Sequence, residues 1–378
     1  MKIIHLADLH LGKRVNEFPM LEDQEFILRR IINIIDEVKA DAVVIAGDVY
    51  DKSVPSAEAV QLFDDFLCRL AKRKLHIFVI NGNHDSAERI AFGGRIMDEA
   101  GVHMAPVYDG NIKPVVLEDK WGKVNFYLLP FLKPVYVKRL YPDDQIGTYT
   151  EAVCLAVEKM RANEDERNLL VAHQFVTGGE RCESEEISVG GSDNVDMRAF
   201  KGFDYVALGH LHRPQHVGQE NIRYCGSPLK YSFSEASHNK SATIVTIEEK
   251  GSVKIENTPL EPKHDMREIK GAYMELTAKD FYKDTVKDDY MHITLTDEED
   301  IPDVINKLRV IYPNLMRLDY DNARTRTSSE VEGAEDVDRQ SPFELLCQFY
   351  EKQNNREMKK EQKDLAKDIM EKIWEDEI

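Results

Sequence analysis

"HIFVINGNHD", residues 76–85, is the stretch on which the reading of the chain turns. Its first half, His76-Ile77-Phe78-Val79-Ile80, is rich in β-branched and aromatic side chains, the composition of a buried strand. The run then breaks into Asn81, Gly82, Asn83, His84 and Asp85, none of which packs well in a core. A polar turn alone accounts for such a break, because Asn-Gly pairs readily take positive φ and Asp commonly ends a strand. What argues for more is that other apolar runs end the same way. "KIIHLAD" runs into Asp8-Leu9-His10, and "AVVIAGD" closes on Gly47-Asp48 with Asp51 soon after. "LLVAHQ" reaches His173, and "DYVALGH" reaches Gly209-His210-Leu211-His212.

Between these runs lie helical patterns. Ile27, Ile31, Ile34, Ile35 and Val38 recur at helical spacing over 23–38, and Val60, Phe63, Leu67 and Leu70 share a face further on. Strand alternating with helix predicts an α/β layered domain rather than a helix bundle or an all-β sandwich. "KVNFYLLP" adds a buried strand, and "SATIVTIEEKGSVKIENTPL" reads as a hairpin about Lys250-Gly251. The first domain is therefore expected over 1–262. A smaller α/β unit is expected over 263–322, with "AYMELTAK", "MHITLT" and "LMRLDY" as strands and Ile305, Leu308 and Tyr312 on a helix. Residues 323–340 are acidic and lack periodicity, as a flexible linker does. From Ser341 a capped helix is expected, with Phe343, Leu346 and Tyr350 as one apolar stripe and Leu365, Ile369 and Ile373 as another. Such a tail, 341–378, is expected to bury its faces on a partner surface, the alternative being that it folds back on its own domain.

Composition sets outer limits. The 378 residues, 42% of them hydrophobic, suffice for more than one core. No apolar run reaches about 18 residues, and "MKIIHLADLH" meets an aspartate before a signal-peptide core could form. A cytoplasmic protein without a membrane span is the expectation. The five cysteines are scattered singly, which excludes the close pairs of a thiolate zinc site or a redox Cys-x-x-Cys. A net charge of −19 argues against a broad basic face for nucleic acid, although bound cations would supply local positive charge.

In an α/β sheet, side chains just beyond the carboxyl ends of strands gather in one crevice. Asp8, His10, Asp48, Asn83, His173, His210 and His212 would then meet, offering oxygen and imidazole donors without thiolate. That set suits manganese, iron or zinc, whereas magnesium prefers oxygens and water. Seven donors oversupply one ion. Two ions about 4 Å apart that share a carboxylate fit better, and such pairs clamp a phosphoryl group during ester hydrolysis. His84, next to Asn83, is left free to act on the leaving oxygen. His5, inside the first apolar run, reads as a core histidine; His76, His103, His216, His238, His264 and His292 read as surface or structural.

In this order the residues resemble the calcineurin-like metallophosphoesterase superfamily: Asp8-Leu9-His10, Gly47-Asp48 with Asp51, Gly82-Asn83-His84-Asp85, His173 and Gly209-His210-Leu211-His212. Within it, "HLADLHLGK" (5–13), "VAHQFVTGGE" (171–180), "VGGSDNVD" (189–196) and "GSPLKYSFSE" (226–235) are similar to DNA nucleases that work with an SbcC-type coiled-coil ATPase. The resemblance implies two packed sheets flanked by helices, with a smaller α/β cap and C-terminal helices. It implies that Asp8, His10, Asp48 and His212 hold one manganese ion and Asp48, Asn83, His173 and His210 the other, Asp48 bridging. His84 would be catalytic, joined by Asp51, whose position is His in some relatives. The implied reaction is hydrolysis of DNA phosphodiesters, exonucleolytic and endonucleolytic, by a hydroxide activated between two divalent metals, in DNA end processing, repair and recombination. The cap would shape the DNA path, the tail would dock on the ATPase, and two copies would form a homodimer within a heterotetramer. A phosphatase or cyclic-nucleotide phosphodiesterase on the same core, and a scaffold whose metals no longer catalyse, are the competing readings.

Overall fold

In the computed structural model, residues 1–185 and 193–322 are described, together with isolated residues between 346 and 366. The expected linker, 323–340, and the helix cap expected at Ser341 lie outside the described residues. The chain divides into two compact units, Met1–Thr296 with Asp300–Asp319 and Asp297–Glu299 with Tyr320–Ile378. In the second of these, the Asn322 side-chain amide donates to the Asp297 carbonyl at 3.0 Å.

The first unit is built on strands β1 (Lys2–Leu6), β2 (Ala42–Ala46), β3 (His76–Ile80), β4 (Val102–Met104), β5 (Val115–Asp119), β6 (Gly122–Leu129), β7 (Arg167–His173) and β8 (Tyr205–Gly209). They are followed by β9 (Gln215–Val217), β10 (Gln219–Tyr224), β11 (Ser241–Ile247) and β12 (Val253–Pro259). One sheet has the order β12-β11-β1-β2-β3-β4 and the other β9-β10-β8-β7-β6-β5. β1 to β4 pair in parallel, as do β6, β7, β8 and β10, so the ligand-bearing strands of each sheet run side by side. β11 returns antiparallel to β1, and β12 antiparallel to β11, which is the hairpin expected about Lys250-Gly251.

The two sheets face each other across a core of Ile3, Val44, Ala46, Phe78 and Ile80 from one and Val124, Phe126, Leu169, Val171, Tyr205 and Ala207 from the other. Phe78 and Phe126 stack across this seam with ring centroids 4.2 Å apart. Burying side chains of this size contributes roughly 1.5–3 kcal/mol each, which is why strands apolar on both faces are found here. Helices cover the outer faces. α1 (Leu21–Val38) and α2 (Ala57–Ala71) lie on the first sheet, through Ile27, Ile31, Ile35, Phe63, Phe66 and Leu70. α3 (Tyr149–Met160) covers the second, and its start is fixed by a capping box between Thr148 and Glu151. Val60, expected on the buried face of α2, is 44% exposed at its edge.

A three-stranded sheet follows, β13 (Met266–Gly271), β14 (Tyr290–Leu295) and β15 (Leu315–Tyr320), with helix α4 (Val304–Arg309) between the last two. "AYMELTAK" does not form the expected strand. Tyr273–Leu276 is a helical turn, rich in the good helix formers Met, Glu and Leu, and Thr277 Oγ1 closes it by donating to the Tyr273 carbonyl at 2.8 Å. The strand lies just before it, in Met266–Gly271. Among the described residues no helix is long and apolar enough to cross a membrane.

Candidate metal centre

The loops that leave β1 and β2 zip together. Asp8 N–H donates to the Gly47 carbonyl and His10 N–H to the Asp48 carbonyl, both at 3.0 Å, which brings the two acids to one end of the sandwich. Asp8, His10, Asp48 and His210 have φ of 53°, 43°, 48° and 108°, in the left-handed region that non-glycine residues seldom enter. Each such residue costs on the order of 1–3 kcal/mol and persists only where its surroundings over-determine it. Close approach sets the neighbouring glycines: a Cβ at Gly209 would collide with the Ala46 carbonyl oxygen, and one at Gly82 with the Asp48 carboxylate. Asp85 fastens the β3 loop from inside, accepting from Gly82, Tyr50 and Val49 N–H at 2.9 to 3.0 Å.

All seven sequence-derived donors converge. His10 Nε2 and His212 Nε2 are 3.1 Å apart. Asn83 Oδ1 lies 3.0 Å from both His173 Nε2 and His210 Nδ1. Asp48 Oδ2 lies 3.3 Å from His173 Nε2 and 3.7 Å from His10 Nε2, while Asp8 accepts the His210 N–H. Asp8, His10 and His212 form one cluster of donor atoms within 4.8 Å of one another, and Asp8, Asp48 and His173 form a second.

The protonation of these groups tests whether a cation belongs among them. His173 Nδ1–H donates to the Ala46 carbonyl at 2.8 Å, so in the neutral ring Nε2 is a lone pair facing the oxygens of Asn83 and Asp48. Positive charge at Nε2 relieves that juxtaposition with the Asp48 carboxylate. Without metal a proton supplies it: burial opposes charge on His173, but Asp48 outweighs burial and raises the ring to about 9. Burial raises the Asp8 carboxyl to about 7. Burial also works to raise Asp48, but His173 and its hydrogen bond hold that carboxylate well below its usual range. His212 is oriented from behind: Nδ1–H donates to Ser184 Oγ at 2.7 Å, and that hydroxyl donates to Glu235 Oε1 at 2.5 Å, which turns the Nε2 lone pair inward. His10 Nδ1 and His210 Nε2 are buried without a hydrogen-bond partner. Oxygen and imidazole acceptors aimed at one another without intervening donors fit divalent metal ions.

His84 and Asp51 lie at the open side. His84 Nδ1–H donates to the Asp51 carbonyl at 3.0 Å, leaving Nε2 3.9 Å from Asp48 Oδ2. Asp51 Oδ1 accepts from Lys13 Nζ at 2.8 Å and lies 3.8 Å from His10 Nδ1. Sequence reasoning missed Lys13, Gln24, Ser184, Glu235 and Glu185, whose Oε1 accepts the His212 N–H at 2.6 Å. Gln24 is the polar break at the start of an otherwise apolar helix face, yet its amide is buried and donates to the His10 carbonyl at 2.7 Å. Glu235 closes the "GSPLKYSFSE" stretch and is fully buried, paired with Lys240 Nζ at 2.5 Å. A buried acid in a polar stretch was the available signal.

Residues 1–214 match the family model described as calcineurin-like phosphoesterase. The chain belongs to that family. Residues 262–354 of this phosphoesterase match a second model, described as type 5 capsule protein repressor C-terminal domain. The chain is 33% identical over 377 residues to the SbcD subunit of the nuclease SbcCD of Staphylococcus epidermidis, a match covering 98% of each, and so belongs to that protein's family within the phosphoesterases. Among solved structures, a dimetal phosphatase from Danio rerio is 11% identical with a TM-score of 0.40, covering 68% of this chain and 95% of the other. The TT1561 protein of Thermus thermophilus is 11% identical with a TM-score of 0.40, covering 68% and 98%.

Proposed function

We propose that this phosphoesterase is a manganese-dependent DNA nuclease, cutting at ends and internally, which works with an SbcC-type ATPase. The observation that carries the hydrolytic part is the convergence of carboxylate, amide and imidazole atoms from five strand ends into one cluster, a donor set that divalent cations fit. Asp8, His10, Asp48 and His212 would hold one ion, and Asn83, His173 and His210, with Asp48 again, the other. When bound, the pair supplies Lewis-acid activation of water and neutralises charge on the phosphoryl oxygens. The protein's own part is to fix these donors through the Ala46, Ser184 and Asp85 contacts, and to present His84 to the substrate. Because His84 Nδ1–H is committed to the Asp51 carbonyl, Nε2 is the atom that exchanges a proton with the leaving oxygen. Asp51 holds that imidazole through its backbone and faces the opening with its carboxylate.

The full-length likeness to a nuclease subunit named for its complex supports DNA as substrate and the ATPase as partner. Residues 263–322 are read as a cap that shapes the DNA path, and 341–378 as the docking tail. Phe92 and Ile96, 83% and 81% exposed, together with Val54, provide apolar surface of the kind that two copies bury in a homodimer.

The test is incubation of the purified chain with manganese and either linear DNA or a p-nitrophenyl phosphate ester. Cleavage of DNA is expected, and turnover of the small ester alone refutes the nuclease reading in favour of a phosphatase. His84→Ala is expected to retain manganese, measured by metal analysis, yet lose on the order of 10²- to 10⁴-fold in hydrolysis. Normal activity in that variant removes His84 from the mechanism.

A further inference from the structure

Among the described residues at the candidate metal centre, burial is uneven. The side chains of Asp8, His10, Asp48, His173 and His212 are at most 3% exposed, whereas His84, Lys13 and Asp51 are 14%, 15% and 16% exposed. These three groups lie at the exposed side of the donors, where a phosphodiester can meet them. Of them, Lys13 alone carries a permanent positive charge, on a chain whose net charge is −19.

Lys13 is held in place. Its backbone N–H donates to the His10 carbonyl and its own carbonyl accepts from Met20 N–H, both at 3.0 Å, while the Gly12 N–H before it donates to Gln24 Oε1 at 2.9 Å. The side chain then runs over the face of Tyr231, with Nζ 5.7 Å from the ring centroid, and ends 2.8 Å from Asp51 Oδ1. Tyr231 is itself fixed, its hydroxyl donating to the Leu9 carbonyl at 2.5 Å. An ammonium has three N–H donors, and this contact with Asp51 uses one of them. Asp51 faces the same opening, and without Lys13 its carboxylate would repel an incoming phosphate.

The geometry points to Lys13 as a substrate-binding residue, whose ammonium, aimed by Asp51 and Tyr231, donates to a non-bridging oxygen of the phosphodiester being cleaved. This rests on the phosphodiester-hydrolase reading of the site and adds a protein cation to it. The contact forms as the substrate binds, so its loss falls mainly on KM, whereas loss of His84 falls on kcat. It also neutralises one phosphate charge without any metal, which an equilibrium measurement can read directly.

The experiment compares wild type, Lys13→Gln, Lys13→Arg and His84→Ala as full chains on a short linear DNA duplex. Three quantities are measured: kcat and KM with manganese, manganese affinity by calorimetry, and duplex affinity in EDTA over a series of KCl concentrations. Lys13→Gln is expected to bind manganese like wild type, to raise KM by about 10-fold or more, and to lower the slope of log K against log salt by about one unit. Lys13→Arg is expected to recover most of the slope and of KM, and His84→Ala to keep the slope while losing kcat. Unchanged KM and slope in Lys13→Gln, beside a His84→Ala variant that is inactive, overturns the role of Lys13 and leaves the nuclease reading standing. Weakened manganese binding in Lys13→Gln overturns it too, because the lysine would then act by propping His10. A wild type that turns over small esters but not DNA refutes the nuclease reading itself.

Discussion

Gly82 shows how little latitude the centre has at the level of one residue. A methyl group there would press into both the carboxylate and the backbone nitrogen of Asp48, and Asp48 Oδ1 already accepts the His84 N–H at 3.0 Å. Gly82→Ala is therefore expected to displace Asp48, an acid that lies against both His10 and His173. Manganese binding should weaken by about tenfold or more, with hydrolysis falling alongside, while far-UV circular dichroism stays native because no core side chain is lost. Calorimetry with manganese checks this, and wild-type affinity would mean that Asp48 is not a ligand. The side chains that converge as candidate donors were legible in the sequence, because acids and imidazoles at the ends of apolar runs stand out against the packing rule. Their backbone strain was not. Asp8, His10 and Asp48 take left-handed φ because the two loops zip to each other, a pairing between residues 8 and 47 that no local pattern announces. Lys13 was hidden for a similar reason, since its meaning depends on Asp51, 38 residues away.

At the level of elements, helix α1 ties two regions together through adjacent residues. Asp23 accepts from His264 Nδ1 at 3.0 Å and from the Tyr290 hydroxyl at 2.7 Å, reaching the three-stranded sheet, while Gln24 reaches the loop that carries Asp8 and His10. The periodicity of Ile27, Ile31 and Ile35 placed this helix correctly, but it begins at Leu21, and the polar residues near its start are buried partners rather than caps. "AYMELTAK" was misread because four alternating residues fit a strand and a helical turn equally well, and the choice lay with the neighbouring strand Met266–Gly271, which already fills the sheet position. The tail poses an element-scale question of its own. Its apolar stripes at Phe343, Leu346 and Tyr350 and at Leu365, Ile369 and Ile373 lie in sequence beyond the acidic segment 323–340, and Leu365 is 61% exposed. Two amphipathic stripes gain stability by burial against another surface, here the proposed coiled-coil ATPase. Deleting residues 341–378 is expected to abolish co-purification with that partner while sparing manganese-dependent cleavage. Undiminished co-purification would rule the tail out as the docking site.

At the level of the whole molecule, the partition of strands into two sheets is what brings residues 8 and 212 together, and the seam between those sheets has a titratable group inside it. Continuous apolar runs identified the strands, but which sheet each joins is decided by long-range pairing, so that arrangement came from family resemblance rather than from patterning. His5 on β1 lies in the seam, fully buried, as its apolar neighbours led one to expect, with Nδ1 2.9 Å from the Tyr205 hydroxyl of the opposite sheet. Burial, helped by the positive charge of Arg223, lowers its pKa from 6.5 to about 3. The folded state thus keeps His5 neutral in a range where the unfolded chain protonates it. Protons then favour unfolding, and this contribution to stability is present in full above pH 6.5 and is lost progressively as pH falls toward 3, at up to about 1.4 kcal/mol per pH unit. Between pH 7 and pH 5 the wild type should lose about 2 kcal/mol through this group. His5→Gln cannot take up the proton, so its stability, whatever its value at pH 7, should fall by about that much less over the same interval. Urea unfolding of both proteins in EDTA at pH 7 and pH 5 measures the difference, and two parallel losses would show that the seam admits a charged imidazole.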